Sequence, residues 1–472
     1  MVPLVKPLPV WLEPLEALKR LQSLPFPCLM ESASSDDHLG RYSFLAIDPF
    51  DVVKVPRPKK DALAQLAIAL ERYATPTIPD LPPFQGGAAG VLSFELGKCF
   101  ERLPSARHDE FGIPLVVLGL YDVVLAWDHQ SKRAWIVSQG FPEREEEARS
   151  DRAQRRLQEI LSGLRLSETA IAHASNPSFQ SLVGPHATAH GLTAPQFETR
   201  LGGAWIGNFD SIGFQTAVQK ARDYIFAGDI FQVNLAQRLM KRADCDPLTL
   251  YERLRVVNAA PFAGYFDMGD ACVVSSSPER FLSVRNRQVE TRPIKGTRRR
   301  SEDSVEDARV AQELLASSKD RSENTMIVDL LRNDLSRVCK ASTVRVQKLC
   351  GLESYRYVHH LVSVVEGELR EDASLTDLIA STFPGGSITG APKVRAMEII
   401  AELEPTARGP YCGCLGYFGF DGSMDTNILI RSVTCSRGWW QVQVGGGIVA
   451  DSDPAQEEEE TWTKAIGIVK AM

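Results

Sequence analysis

Residues 229–241 read DIFQVNLAQRLMK, and their alternation restricts the fold more than any other stretch of the chain. Val233, Leu235 and Leu239 fall on one side of an extended backbone, and Gln232, Asn234 and Arg238 on the other. A period of two is a strand, and a single apolar side predicts a half-buried one. The segment before it has a different period. Phe214, Val218, Ala221 and Ile225 recur at helical spacing, and Gly228 marks the end of that helix. Strands are also predicted in ACVVSS, RFLSVRN and QVETRPI, followed by helices around 304–316 and 322–333. Nearer the start, GGAAGVLSFELGKCF and PLVVLGLYDVVLAWDH read as strands, whereas DALAQLAIALERYA and EREEEARSDRAQRRLQEILSGLR read as amphipathic helices. No internal repeat is visible. This order predicts an α+β fold: a large mixed domain of extended, mainly antiparallel β-sheets surrounded by helices. Residues 166–210 are rich in Ser, Ala, Gly, His and Thr and lack periodicity. They are expected to form a linker or exposed loop between region 1–165 and region 211–472.

Charge and cysteine usage exclude several classes. The net charge of −7, from 53 basic and 60 acidic residues, argues against a nucleic-acid binder. Arg298, Arg299 and Arg300 are followed at once by Ser301, Glu302 and Asp303, which offset their charge. Nine cysteines without a C-x-x-C pair predict reduced thiols and a cytoplasmic location. The opening MVPLVKPLPVWLEPLEALKR has prolines where a signal peptide needs an apolar run. No stretch approaches the ~18–20 apolar residues of a membrane span, so no membrane partner is expected.

Several motifs can carry chemistry. Lys295 sits in VETRPIKGTRRR, between a rigid proline and Gly296. It is either an ordinary turn charge or an amine placed where the protein needs one. Asp320 and Glu323, three apart in KDRSENTMIVDLLRNDL, either satisfy free N–H groups as a cap or offer oxygen ligands to a divalent metal. In DSDPAQEEEETWTKAIGIVKAM, Ser452 or Asp453 can cap and Pro454 suits the first turn. Glu457 and Glu460 share a face there, and the run of four glutamates invites a cation such as Mg²⁺. Gly385, Gly386 and Gly390 in FPGGSITGAPKVRAM, and Gly445, Gly446 and Gly447 in VGGGIVADSD, let backbone N–H groups approach an anion. Neither segment has nucleotide-loop spacing, so nucleotide binding is rejected. Arg431, in NILIRSVT among apolar neighbours, is expected to be paired, for instance with a ligand carboxylate.

Taken in order, SPERFL, PIKGTRRR, SENTMIVDLLRNDL, GGSITGAPKVRAMEIIAELEP, GYFGFDGSMDTNILIRS and GGGIVADSDP…EEEETWTKA resemble the chorismate-utilising enzymes. That family includes anthranilate, aminodeoxychorismate, isochorismate and salicylate synthases. LMESASSDDHLGRYSFLAIDP and FQGGAAGVLSFELGKCFERLP resemble the N-terminal region of the first two. The resemblance implies the anthranilate synthase component I fold, with that N-terminal region in 1–165 and the chorismate-binding catalytic region in 211–472. It implies alanine at position 295 in anthranilate synthases and lysine in aminodeoxychorismate synthases. Lys295 and NAAPFAGYF therefore point to chorismate amination, with anthranilate formation as the alternative.

The resemblance also implies roles. Lys295 would be the nucleophile and Glu279 the general acid. Glu323 and Glu460 would hold Mg²⁺, with Asp320 and Glu457 acting through waters. Arg431 and Tyr417 would take the enolpyruvyl carboxylate, helped by the N–H groups of Gly445, Gly446 and Gly447. Thr389, Gly390 and Lys393 would border the site. Gln232 stands where isochorismate-forming relatives carry a lysine that activates water. His360 matches a histidine linked to pyruvate elimination in anthranilate synthases. A separate glutamine amidotransferase subunit would deliver ammonia. Ser32, Arg41, Tyr42 and Phe44 would line a tryptophan pocket, with Met30 where leucine is usual.

Overall fold

The computed structural model describes residues 3–33, 40–166, 191–355 and 358–472. Among them, two large sheets pack face to face and helices cover the outside. One sheet has thirteen strands and the other ten. Neighbouring strands pair antiparallel, as in Gln232–Arg242 with Trp439–Ile448 and Gly87–Leu92 with Cys414–Gly419. The fold is the expected α+β class.

Both sheets mix early and late parts of the chain. In the larger sheet, Cys28–Glu31 pairs with Phe262–Asp267. In the smaller, Gly87–Leu92 lies between Val116–Tyr121 and Cys414–Gly419. The inner faces meet through Phe44, Phe266 and Val273 from one sheet and Ala89, Val91, Val117 and Leu415 from the other. Burying each larger side chain of this kind is worth ~1.5–3 kcal/mol. Residues 167–190 of the expected linker lie outside the described residues. Of the rest, Phe197–Glu198 and Ile206–Gly207 add two short strands to the edge of the larger sheet.

The strand that opened the sequence reading differs from expectation. Gln232–Arg242 is buried on both faces along most of its length, not half-buried. Two of its polar residues find partners inside: Arg238 pairs with Glu110, and the Asn234 carbonyl accepts from Arg408. A second strand prediction also fails in part. Only Gly87–Leu92 is extended, and Phe94–Cys99 coils into a 3₁₀ turn. Elsewhere the period was sound. Ser211–Phe226 buries Phe214, Ala217, Val218 and Ala221, is capped by Asp210, and ends before Gly228 at φ 82°.

The chain crosses between the sheets at two points that matter below. Residues 278–279 connect Ala271–Ser277 of the larger sheet to Arg280–Arg285 of the smaller. Residues 428–431 return from Met424–Asn427 to Ser432–Ser436. The helices Ser318–Ser336 and Pro454–Val469 flank the cavity between these crossings.

Candidate active site

The cavity holds about 490 Å³. Lys295 enters it from an interrupted strand. Ile294–Arg299 pairs with Val358–Glu368, matching Ile294 to Val362 and Thr297 to His360. Two residues, Lys295 and Gly296, thus oppose the single Leu361. Such a bulge re-aims a side chain out of the ladder. Gly296 permits it: its φ is 79°, and a Cβ there would lie 2.9 Å from Asp320 Cγ. The ammonium donates to the Ser387 carbonyl at 3.2 Å. Burial lowers its pKa below the ordinary lysine value, although Glu323, Glu279 and Glu460 pull the other way.

Glu279 occupies the outgoing crossing. Ser277 Oγ accepts from the Glu279 N–H at 3.2 Å, and the Glu279 carbonyl accepts from the Ile428 N–H at 3.0 Å. The side chain is 5% exposed. Burial pushes its pKa up to about 7, opposed by the Ser387 hydroxyl, which donates to Oε1 at 2.9 Å, and by Lys295. Near neutral pH the acid and its carboxylate therefore coexist, as a proton donor requires.

Arg431 occupies the returning crossing at φ 51°, a left-handed conformation that arginine adopts at a cost of roughly 1 kcal/mol. Its guanidinium lines the cavity. Among the described residues nothing accepts a hydrogen bond from that side chain, and Glu279 answers its charge only at a distance. A half-buried guanidinium without a hydrogen-bond acceptor is a ready carboxylate receptor.

The acidic residues project from two helix starts. Ser317, not Asp320 or Glu323, caps Ser318–Ser336. Asp320 instead pairs with Arg298 at 3.1 Å, and Glu323 lines the cavity. Asp453 caps Pro454–Val469, while Ser452 donates to Glu457 at 2.6 Å. Lys464 bridges Glu460 at 2.7 Å and the Gly445 carbonyl at 2.7 Å. Burial raises the pKa of both Glu323 and Glu457. For Glu460 burial also acts upward, but Lys464, with Lys319 and Lys295, outweighs it and the net shift is down. Among the described residues, no three carboxylate, imidazole or thiol groups are gathered as a finished metal site. The donor set nevertheless fits a hard divalent cation: four carboxylates from two helices face one cavity. Gly446 leaves room between them, because a Cβ there would stand 3.3 Å from Glu457 Oε2 and 3.6 Å from Glu460 Oε1.

Most of the residues singled out in the sequence converge here: Lys295, Glu279, Arg431, His360, Asp320, Glu323, Glu457, Glu460 and Gly445, Gly446 and Gly447 all line the cavity. His360 meets Thr297 Oγ1 through Nδ1 at 2.8 Å, and burial lowers its pKa to about 4. Five others do not line it. Lys393 is paired with Asp334 and the Thr382 carbonyl, behind the cavity wall. Thr389 turns its hydroxyl onto the Gly385 carbonyl at 2.9 Å, and Gly390 pairs with Val233. Gln232 is fully buried with its amide unpartnered, directly beneath Gly447. Tyr417 is the clearest correction. It stacks on Phe84 with centroids 4.4 Å apart, in a different cavity from Arg431. The tyrosine that lines the Arg431 cavity is Tyr411. Ser387 and Lys464 were also missed. Lys464 was findable, because it follows Glu460 by one helical turn. Ser387 gave no local signal.

The second cavity, also about 490 Å³, is lined by Arg280, Ser283 and Arg285 of the strand Arg280–Arg285. Met30, Arg41, Tyr42, Phe44 and Tyr417 line it. Ser32 stands one residue beyond the strand Cys28–Glu31, whose Glu31 is in the lining. Arg41 is paired with Asp128 at 2.8 Å, and Arg280 with Asp425 at 3.0 Å and Glu290 at 2.9 Å.

Comparison with known proteins gives the family and the fold. The chain is 41% identical over 420 residues to anthranilate synthase component 1 of Thermus thermophilus, covering 89% of this chain and 83% of that protein. It is 36% identical over 456 residues to aminodeoxychorismate synthase component 1 of Salmonella typhimurium, covering 93% and 92%. The crystal structure of anthranilate synthase component I from Streptococcus pneumoniae superposes with a TM-score of 0.74 at 29% identity, covering 92% and 93%. Among the described residues no helix is long and apolar enough to cross a membrane. Residues 28–470 match the family profile described as chorismate binding enzyme, and the chain belongs to that family.

Proposed function

We propose that the chain is the large component of an aminodeoxychorismate synthase, which converts chorismate and ammonia to 4-amino-4-deoxychorismate. A separate glutamine amidotransferase subunit supplies the ammonia. The observation that carries this reading is the bulge at Lys295, which directs an amine of lowered basicity into the cavity that Glu279 and Arg431 share.

The chemistry needs such an amine. Exchanging the C4 hydroxyl of chorismate for nitrogen on the same carbon is hard in one displacement. Lys295 attacks C2 in its neutral form while the double bonds shift and the hydroxyl leaves C4. Glu279 gives that hydroxyl a proton, so water departs. Ammonia then adds at C4 and expels the lysine nitrogen from C2, which restores the diene. Two accessible steps replace one difficult step. Arg431 holds the enolpyruvyl carboxylate. Glu323 and Glu460 would hold Mg²⁺, with Asp320 and Glu457 acting through waters. The bound ion would neutralise the ring carboxylate and orient it. Gln232 is a neutral amide and cannot act as a base for water, which favours ammonia as the acceptor.

One observation favours a second reading. His360 lines the cavity, where burial keeps its imidazole neutral, though a weaker base than usual. An imidazole at that place suits pyruvate elimination and an anthranilate product. The test is product identity with chorismate, Mg²⁺ and ammonium. p-Aminobenzoate that appears only after adding a lyase supports amination alone, whereas direct formation of fluorescent anthranilate selects the second reading. The second cavity, with its aromatic lining and matched charges, suits an amino acid such as tryptophan.

A further inference from the structure

Ser387 hydrogen-bonds to both the acid and the amine of the proposed reaction. Its hydroxyl donates to Glu279 Oε1 at 2.9 Å, and its carbonyl accepts from Lys295 Nζ at 3.2 Å. We propose that Ser387 is a positioning residue, which aims the Glu279 proton and the Lys295 lone pair at the same substrate from one rigid turn. This inference rests on the reading of Lys295 as nucleophile and Glu279 as acid.

The turn is built to be stiff. Gly386–Ile388 is a short 3₁₀ segment, and all three residues are buried. Thr389 closes it by donating to the Gly385 carbonyl at 2.9 Å. Arg408, itself 1% exposed on its side chain, donates to the Ile388 carbonyl at 3.0 Å. Leu330 and Phe281 press against the two glycines ahead of it: a Cβ at Gly386 would lie 2.6 Å from Leu330 Cδ2, and one at Gly385 would lie 3.4 Å from the Phe281 ring. Ser387 therefore has little freedom to follow its partners, and they must follow it.

Direction is what the two contacts supply. A neutral carboxyl has one carbonyl oxygen and one hydroxyl oxygen. Donation from Ser387 makes Oε1 the accepting oxygen and leaves the proton to Oε2. A neutral amine has two N–H bonds and one lone pair. Committing an N–H to the Ser387 carbonyl restricts where the lone pair points. Both constraints reduce misaligned encounters, which is how orientation contributes to rate. The other charged or titratable groups that bear on Glu279 are Lys295, Arg431 and Cys412, and the Ile294 N–H also donates to its carboxyl.

The test compares wild type with Ser387→Ala and Ser387→Thr. With chorismate, Mg²⁺ and ammonium, Ser387→Ala should lower kcat about 10- to 100-fold, with KM within about threefold. The limb of the pH profile near 7 should move to higher pH, because the carboxylate has lost a donor. Ser387→Thr, which keeps the hydroxyl, should restore that limb. A second readout needs no turnover: the pH dependence of Lys295 acetylation by acetic anhydride, read by peptide mass spectrometry. Wild type should show a step near 7 as Glu279 ionises, displaced upward in Ser387→Ala. An unmoved step and an unmoved limb overturn the inference, even if kcat falls, because a role in packing alone would do that. If wild type itself makes no aminated product, the proposed function fails, and the acetylation step still decides the contact with Glu279.

Discussion

The two cavities have about the same volume, yet Glu279, Lys295 and Arg431 in one are handled differently from the paired charges of the other. Glu279 faces one and Arg280, the next residue, faces the other. On the Arg280 side, the charges are matched: Arg280 with Asp425 and Glu290, Arg41 with Asp128, and Glu31 with Arg255 at 2.8 Å and Tyr251 at 2.6 Å. On the Glu279 side, burial raises a carboxyl and lowers an amine, and among the described residues a guanidinium has no hydrogen-bond acceptor. Paired groups suit recognition, although burial still raises the paired Glu31 above its ordinary value. Groups held away from their ordinary ionisation suit chemistry. The difference follows from placement. Glu279 and Arg431 sit where the chain leaves one sheet for the other, and among the described residues no oppositely charged side chain bridges either of them there.

That contrast can be broken by mutation. The largest expected effect is Lys295→Ala, which should lower kcat by at least ~10³-fold. Retained turnover would place the chemistry elsewhere. Glu279→Gln should cost ~10²–10⁴-fold in kcat. It should also erase the fall in wild-type rate above a pH of about 7, since the protonated acid is lost as pH rises through that value. The same substitution should raise the melting temperature more at pH 8 than at pH 5. A carboxyl whose folded pKa lies above its unfolded value loses stability as pH rises between the two. Arg431→Met should raise KM for chorismate about 10- to 100-fold with a smaller change in kcat. The smallest effect belongs to the matched cavity: Tyr417→Phe should leave kcat/KM for chorismate within about twofold. A large loss there would return Tyr417 to the substrate.

Local period made much of the fold legible. Phe214, Val218 and Ala221 marked a helix, and the alternation after Gly228 marked a strand. What the period could not show was the second layer. Gln232 and Asn234 looked solvent-facing because one polar face usually means water, but a sheet packed on both sides buries that face too. The site was legible as a set of residue types in order, and its acidic residues, Lys295 and Arg431 do converge. The distinction between Tyr411 and Tyr417 was not legible. Both are buried tyrosines six residues apart, and only the path of the chain decides which cavity each one meets. Ser387 was hidden for a similar reason: its two contacts are made across 108 and 92 residues of sequence.

The central claim is that one side-chain amine bonds to the substrate. Intact mass measured on the protein with chorismate and Mg²⁺, but without ammonia, tests it most directly. An added mass of one chorismate less one water is expected, absent in Lys295→Ala and discharged when ammonium is added. No added mass under turnover-competent conditions, with amination retained in Lys295→Ala, would contradict it.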